Sequence, residues 1–321
     1  MRQCVPTLIL LLAVSGCEAS STTMLPVYVT VAGHIEDRPI YTVCRAYPGF
    51  REQLLAFAEA LEPTGAAFNL QIDYEFFRGA ADCETDAMRA ETGGRNVIDY
   101  LATQHGFEID PHQEGGIEQG AENYADIRHL AEQVTPLVSE VVGGLLWDDP
   151  PQFARLAGGE AGWLVPDFVW EPEILTLAVS SDHHTGDFSR DDVASGVWKP
   201  AGSNEAFWEH DDSARMVYVG PGIHENWSRE SDRVSSVDFV QELVDGLADG
   251  TLDRTRMYTA TVTVPQSTIF KAENHAALLA ITDELQPMVD AGQVVYVTYT
   301  EAVEIWRTTY HEDPNIHHHP E

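Results

Sequence analysis

The stretch GFEIDPHQEGG, residues 106–116, places a short apolar run directly before a group of polar side chains. Residues 107–109 read as a β-strand, and residues 110–114 are Asp, Pro, His, Gln and Glu. Pro111 and the two glycines that close the stretch are typical of turns. A strand that ends in carboxylate and imidazole groups predicts a metal or catalytic site at its carboxyl end.

Strand patterns alternate with helix patterns along the rest of the chain. This alternation favours a parallel sheet with helical crossovers. Seven or eight such units predict a closed or nearly closed (β/α) barrel, with a doubly wound open sheet as the alternative. Strands are predicted at 27–36, 66–73, 141–147, 214–221, 257–264 and 294–300, and helices at 50–63, 96–104, 124–138, 237–250 and 274–292; residues 148–196 read as an irregular insertion rich in Pro, Gly and Trp.

The charge balance restricts the partners. The chain has 321 residues with 52 Asp and Glu against 18 Lys and Arg, a net charge of −34, and its lysines are Lys199 and Lys271. No basic patch is visible, which argues against nucleic acid and against anionic membrane surfaces. The acidity alone is typical of a solvated, self-repelling surface. The sequence does not indicate the oligomeric state.

The N-terminus has the pattern of an export signal. A single Arg precedes an apolar run too short to span a bilayer, and VSGC at residues 14–17 resembles a bacterial lipobox. We therefore expect residues 1–17 to be a signal peptide with its lipobox cysteine, and 18–25 to be a tether. Cys17 would carry lipid, so that membrane contact is through this anchor alone. The expected location is the bacterial cell envelope, periplasmic or at the cell surface.

Two further cysteines remain if the signal is removed. In an oxidising compartment Cys44 and Cys83 are candidates for a disulfide, and two separate buried thiols are the alternative. The other end of the chain, residues 311–321, is rich in histidine and reads as a flexible tail.

Candidate ligands occur after two predicted strands whose carboxyl ends would share one face of a barrel. The first strand runs into His34, Glu36 and Asp37, and the third into His112 and Glu114. A catalytic divalent ion needs several nitrogen and oxygen ligands and an open position. Asp37 and His112 are the best candidates, followed by His34 and Glu114. The alternative is that these are capping or turn residues.

A second group of polar and aromatic residues comes later. Of the adjacent His183 and His184, at most one can reach a shared site, because neighbouring side chains of a strand point to opposite faces. Trp198 could stack on a sugar ring or belong to the core. His224 follows the strand predicted at 214–221, at the same rim.

These residues give residues 26–306 a resemblance to the polysaccharide deacetylase superfamily, the carbohydrate esterase type with NodB homology. HIED at 34–37 resembles the family's Thr-Phe-Asp-Asp, which implies Glu36 as general base and Asp37 as metal ligand. HGFEIDPH at 105–112 is similar to the family motif that ends in a histidine ligand, here His112. WKPAG at 198–202 resembles a later motif, in which Lys199 would supply a positive charge.

The chain departs from the family pattern in two places. Gly116 and Ile117 stand where the family has a second histidine, and the late Leu-x-His motif is not evident. Glu114 or His34 could complete the metal site, Tyr124 could help to line it, and His224 or His183 could act as the acid.

The resemblance implies a distorted (β/α)7-type barrel over residues 26–310 and a metal-dependent hydrolase, with zinc preferred, that removes acyl groups from a glycan. Two alternatives stay open on the same barrel. One is a glycan-binding lipoprotein without metal or catalysis. The other is a metal-dependent glycosidase, which would need two carboxylates such as Glu36 and Glu114 on either side of a sugar.

Overall fold

The computed structural model describes residues 25–36, 39–113, 122–222 and 236–319. The described helices are α1 Tyr47–Leu61, α2 Tyr74–Cys83, α3 Asp86–Glu91, α4 Val97–Tyr100, α5 Tyr124–Val134, α6 Pro150–Gly158, α7 Ser236–Asp249, α8 Gln266–Ile269, α9 His275–Asp290 and α10 Tyr299–Thr309. The described strands are β1 Val27–Ile35, β2 Phe68–Ile72, β3 Glu108–Pro111, β4 Val141–Gly143, β5 Glu160–Ala161, β6 Val169–Trp170, β7 Ile174–Thr176, β8 Ala194–Trp198, β9 Val217–Pro221, β10 Thr259–Val264, β11 Val294–Tyr296 and β12 His317–His318.

Seven parallel strands form the wall of the molecule in the order β10, β1, β2, β3, β4, β7, β9. Parallel bridges from Ile109 to Val138 and from His112 to Gly143 join the two halves between β3 and β4. The strand β11 pairs with the first residues of β1, and β8 runs antiparallel beside β9. The predicted α/β architecture with helical crossovers is thereby confirmed.

In the part of the chain described, no backbone ladder joins β9 to β10, and we call this gap in the barrel wall the seam. Thr259 bridges the seam with its side chain. Its hydroxyl donates to the Gly220 carbonyl oxygen at 2.6 Å and accepts from the Gly196 amide at 2.8 Å. The barrel is therefore distorted at this point and is held together by a side chain where a closed sheet would use backbone.

The two faces of β1 show how the sequence produces this architecture. Val27, Val29 and Val31 point outward and pack against the helices, in the alternation that a strand imposes. Thr30 points inward, where its hydroxyl lies 2.7 Å from that of Thr261. The amino end of the barrel is covered by α10, whose Trp306 packs in one cluster with the first residues of β4, β7 and β9.

Two expectations about segments were wrong. The predicted irregular insertion at 148–196 contains α6 and, in β7, a strand of the barrel wall, which is too short to show a clear alternation. The His-rich tail is not a flexible end, because β12 pairs antiparallel with β8 and His318 lies 2.7 Å from Asp192. The strand predicted at 294–300 is also shorter than expected. β11 ends at Tyr296, because Thr298 caps α10 and the helix begins at the next residue.

Cys44 and Cys83 form a disulfide, with their Cα atoms 4.8 Å apart. The bond ties the segment before α1 to the end of α2, which decides between the two alternatives for these cysteines. No described helix has the length and apolar character needed to cross a bilayer. The predicted signal, the lipobox cysteine and the tether up to Met24 lie outside the described residues.

Candidate metal centre

Three of the predicted residues meet at the carboxyl end of the barrel. His34 and Glu36 are two positions apart at the end of β1, so both side chains point inward, and His112 follows β3. His112 Nε2 lies 2.8 Å from Glu36 Oε2, and His34 Nδ1 lies 3.7 Å from the same oxygen. One ligand atom from each residue can be chosen so that all three lie within 4.8 Å of one another. Among the described residues this is the single group of three or more such side chains.

The ring of His112 is fixed from behind. Its Nδ1 donates to the Gly143 carbonyl oxygen at 2.9 Å, so Nε2 is the nitrogen that faces the cluster. The same oxygen accepts a hydrogen bond from the Tyr124 hydroxyl at 3.0 Å, and the Gly144 oxygen is also 3.0 Å from that hydroxyl. Outer contacts of this kind set the tautomer and the direction of a ligating histidine.

The sequence analysis missed the importance of Gly143 and Gly144. Gly144 has φ +86°, and a Cβ on it would lie 2.8 Å from His112 Cε1, so a larger residue would displace the ring. A Cβ on Gly143 would collide with the Gln71 amide. The signal was present as the glycine pair in VVGGLLW at 141–147, at the end of a predicted strand.

Glu36 is fixed through its backbone by another residue that the sequence analysis did not single out. Its amide donates to Gln266 Oε1 at 3.0 Å, and the Tyr41 hydroxyl donates to the same oxygen. Gln266 is the first residue of α8, directly after β10, so this contact ties the end of β1 to the neighbouring strand unit.

The charges in the cluster are set by burial and by the groups themselves. Burial and the nearby positive charge of His112 lower the pKa of His34. Burial alone would raise the pKa of Glu36, but hydrogen bonds from both imidazoles outweigh it and hold this pKa far below its usual range. Burial opposes protonation of His112, yet its bond to Glu36 raises its pKa. In this state Glu36 and His112 form an ion pair beside a neutral His34.

The residues fit a divalent ion of the zinc type. The two imidazoles are donors that such an ion prefers, and the carboxylate beside them is placed to act on a bound water. The Nε2 atom of His34 is buried and has no hydrogen-bond partner among the described residues, which is costly for a polar group unless something occupies the site.

The remaining predicted site residues fall into two groups. Asp37, Glu114 and His224 lie outside the described residues. Tyr124 is buried, and its hydroxyl is directed at backbone carbonyl oxygens, so it supports His112 and does not line a substrate site. His183 lies on the loop after β7, at the carboxyl end, with Nδ1 2.7 Å from Asp191 Oδ2.

The placement predicted for Lys199 was wrong, and the structure decides between the two alternatives for Trp198. β8 runs antiparallel to the barrel strands, so the residue that follows it emerges at the amino end. Lys199 lines a cleft there with Glu140 and Glu173, which directly precede β4 and β7, and its Nζ lies 2.6 Å from Glu312. Trp198 is 0% exposed and donates from Nε1 to the Phe207 oxygen, so it is the core residue of the two alternatives.

Replacing Tyr124 by Phe is expected to lower zinc affinity about tenfold, because the oxygen that orients His112 loses its second donor. The fold should survive at a cost of about 1 kcal/mol for the lost hydrogen bonds. Competition with a chromophoric chelator measures the first effect and urea unfolding the second. Tyr100→Phe, away from the cluster on α4, is the matched control. Unchanged zinc affinity in Tyr124→Phe would contradict the orienting role.

No protein-family model and no curated protein sequence matches the chain. Solved structures do. PuuE allantoinase aligns with 91% of this chain and 93% of its own, at 10% identity and a TM-score of 0.52. A protein from Parabacteroides distasonis assigned as a glycoside hydrolase/deacetylase aligns with 89% of this chain and 73% of its own, at 11% identity and a TM-score of 0.51.

A 4-alpha-glucanotransferase from Thermococcus litoralis also aligns over 91% of this chain, at 12% identity and a TM-score of 0.45, and the chain spans 41% of that enzyme. At such identities a likeness shows the fold alone. The two structures with TM-scores above 0.5 share the α/β-barrel fold of this chain, and one of them is described as a glycoside hydrolase/deacetylase.

Proposed function

We propose that the protein is a metal-dependent hydrolase that removes acyl groups from a glycan. The observation that carries the proposal is the convergence of His34, Glu36 and His112 within 4.8 Å at the carboxyl end of the barrel strands. Barrel enzymes of this architecture carry their active sites at that end. The fold supports the same class of reaction, because a glycoside hydrolase/deacetylase shares it.

In this proposal His34 and His112 hold the ion, with zinc preferred, and Asp37 and Glu114 are the further ligands to test. A bound divalent ion would polarise the acyl carbonyl and make a bound water more acidic. His112 presents Nε2 because its Nδ1 is used by Gly143. The Nε2 of His34 is buried and has no partner in the described part of the chain, which supports its assignment as a ligand.

Glu36 is proposed as the general base. One oxygen of its carboxylate lies 2.8 Å from His112 Nε2 and 3.7 Å from His34 Nδ1, so it is placed to accept a proton from a water held between these groups. Its backbone contact with Gln266 keeps the side chain at the mouth of the barrel. A later step needs an acid for the leaving group, and His183 or His224 are the residues proposed for it.

Replacing Glu36 by Gln is expected to lower the rate of deacylation by about 100-fold or more, because general base catalysis contributes on that scale. Zinc should remain bound, since both imidazoles are intact. Released acetate from an acetylated glycan and zinc content per chain are the two measurements. Glu52→Gln, an exposed acid on α1, is the control. Loss of zinc together with activity would show that Glu36 is a ligand and would remove it as the base.

Two other functions correspond to specific observations. The 2.8 Å contact between His112 and Glu36 satisfies both groups without an ion, which favours a glycan-binding protein that has no metal. A metal-dependent glycosidase would need a second carboxylate facing Glu36 across the sugar, and Glu114, the residue predicted for it, lies outside the described residues. Zinc content separates the first alternative from the hydrolase. New reducing ends in place of released acetate would identify the second.

We also propose that the protein acts outside the cytoplasmic membrane, held by lipid on Cys17, with an uncharged glycan as its partner and no nucleic acid. The Cys44–Cys83 disulfide supports an oxidising compartment. The net charge of −34 is unfavourable for binding polyanions. Intact mass of membrane-extracted protein tests the lipid, and a soluble chain that retains Met1 would contradict it.

A further inference from the structure

The hairpin of β5 and β6 exposes apolar side chains on a short tip. Trp163 is 39% exposed and Leu164 is 47% exposed, and Val169 at the start of β6 is 57% exposed. Trp198, the aromatic residue that the sequence offered for sugar binding, is completely buried. Singly exposed apolar residues are common, so the placement and the support of the tip decide whether it has a role.

The tip lies at the carboxyl end of the barrel, the end that carries the metal cluster. Two residues at the start of α5 hold it there. Asn123 Nδ2 donates to the Ala161 oxygen at 2.8 Å, and the Asp126 carboxylate accepts from the Trp163 amide at 2.8 Å. The helix α5 is the one that follows β3, and its first residue, Tyr124, supports the oxygen that orients His112.

The tip is anchored by a buried charge. Asp126 is 2% exposed and also accepts from the amides of Leu164 and Val165, both at 3.0 Å. A Cβ on Gly162 would lie 2.5 Å from Asp126 Oδ1, so the close approach requires glycine there. Charge-assisted hydrogen bonds to consecutive amides fix the backbone of the tip. The backbone that carries the exposed Trp163 is therefore fixed in advance of any contact, which lowers the entropic cost of binding.

We propose that Trp163 is a stacking platform for a sugar ring of the bound glycan, at the rim of the site and away from the scissile bond. The assignment rests on the proposed glycan substrate. An indole face takes the apolar face of a pyranose ring, and its rigid, amphipathic body suits a partly wet surface. The ligand is an uncharged or N-acetylated sugar chain, because a protein with net charge −34 repels anionic glycans.

Affinity electrophoresis of metal-free protein tests this binding without any catalysis. The wild type, Trp163→Ala and Trp163→Phe are run in native gels that contain glycol chitin or acetylated xylan, both neutral polymers. We expect Trp163→Ala to bind about tenfold more weakly, as when a single aromatic contact is truncated, and Trp163→Phe to keep most of the affinity. Leu137→Ala is the matched control, because Leu137 is 49% exposed and precedes β4 at the opposite end of the barrel.

The outcomes separate the platform from the proposed chemistry. Retardation of the wild type that is lost in Trp163→Ala and kept in Leu137→Ala, with equal urea midpoints, supports the platform even if no acetate is ever released. Equal retardation of wild type and Trp163→Ala overturns it. Free migration of the wild type through both polymers overturns it as well.

Discussion

Replacing His112 by Ala is expected to abolish metal binding, with a fall in zinc affinity of more than about 100-fold, beyond the loss seen when only an outer partner of a ligand is removed. The reason is that His112 presents Nε2 to the cluster while its Nδ1 is fixed by Gly143. Deacylation should be lost to the same extent. Zinc content after dialysis and chelator competition give the first value, and released acetate gives the second.

The structure changes what is expected for the stability of this variant. A residue just after a strand is expected to be dispensable for folding. The ring of His112, however, is 3% exposed and pairs with Glu36. Its removal leaves a partly buried carboxylate without its main partner, at a cost of about 1–3 kcal/mol. His112→Gln can still donate to Glu36 and should cost less. His311→Ala, an exposed change in the tail, controls for metal bound there. One zinc per chain retained in His112→Ala would end the assignment.

Breaking the disulfide is expected to produce the largest change in stability. The bond closes a segment of 39 residues, for which the chain-entropy relation gives a loss of about 3–4 kcal/mol when the bridge is removed. Cys44→Ser is the preferred variant, because Cys44 is exposed while Cys83 is 6% exposed and packs in the core. The urea midpoint of unfolding measures the effect.

Wild-type protein under reducing conditions should unfold at the same urea concentration as Cys44→Ser, and the variant should not respond to reductant. Zinc binding in the folded variant should be unchanged, since the bridge lies outside the cluster. Equal midpoints for oxidised and reduced wild type would show that the bridge does not stabilise the folded state.

The parts of the fold that sequence could predict are those with regular local patterns. The alternation in β1 and the polar residues after β1 and β3 predicted both strands and placed His34, Glu36 and His112 at one end of a barrel. The helices α1, α7 and α9 carry apolar positions at helical spacing and were found within a few residues of their ends. These signals are local, so a single sequence contains them.

What sequence could not show depends on contacts between distant residues. The antiparallel direction of β8 is decided by its pairing with β9 and β12. Because of this direction Lys199 lies at the amino end of the barrel and not at the carboxyl end, where the metal cluster lies. The roles of Gly143 and Gln266 come from the positions of His112 and Glu36, which meet them only in the folded chain. The burial of Trp198 likewise follows from its packing against Phe207 and Tyr218.

The pairing of β12 with β8 has a consequence for the order in which the molecule can be assembled. β8 takes part of its hydrogen bonding from His317 and His318, and the Asn315 amide donates to the Val197 oxygen at 3.0 Å. During synthesis from the amino end, β8 emerges long before these partners exist. Until they arrive, one edge of β8 is open beside the seam that Thr259 bridges, and open strand edges are the places where unfinished chains associate with one another. The nascent protein is thus most vulnerable to aggregation in the interval between the synthesis of β8 and that of β12.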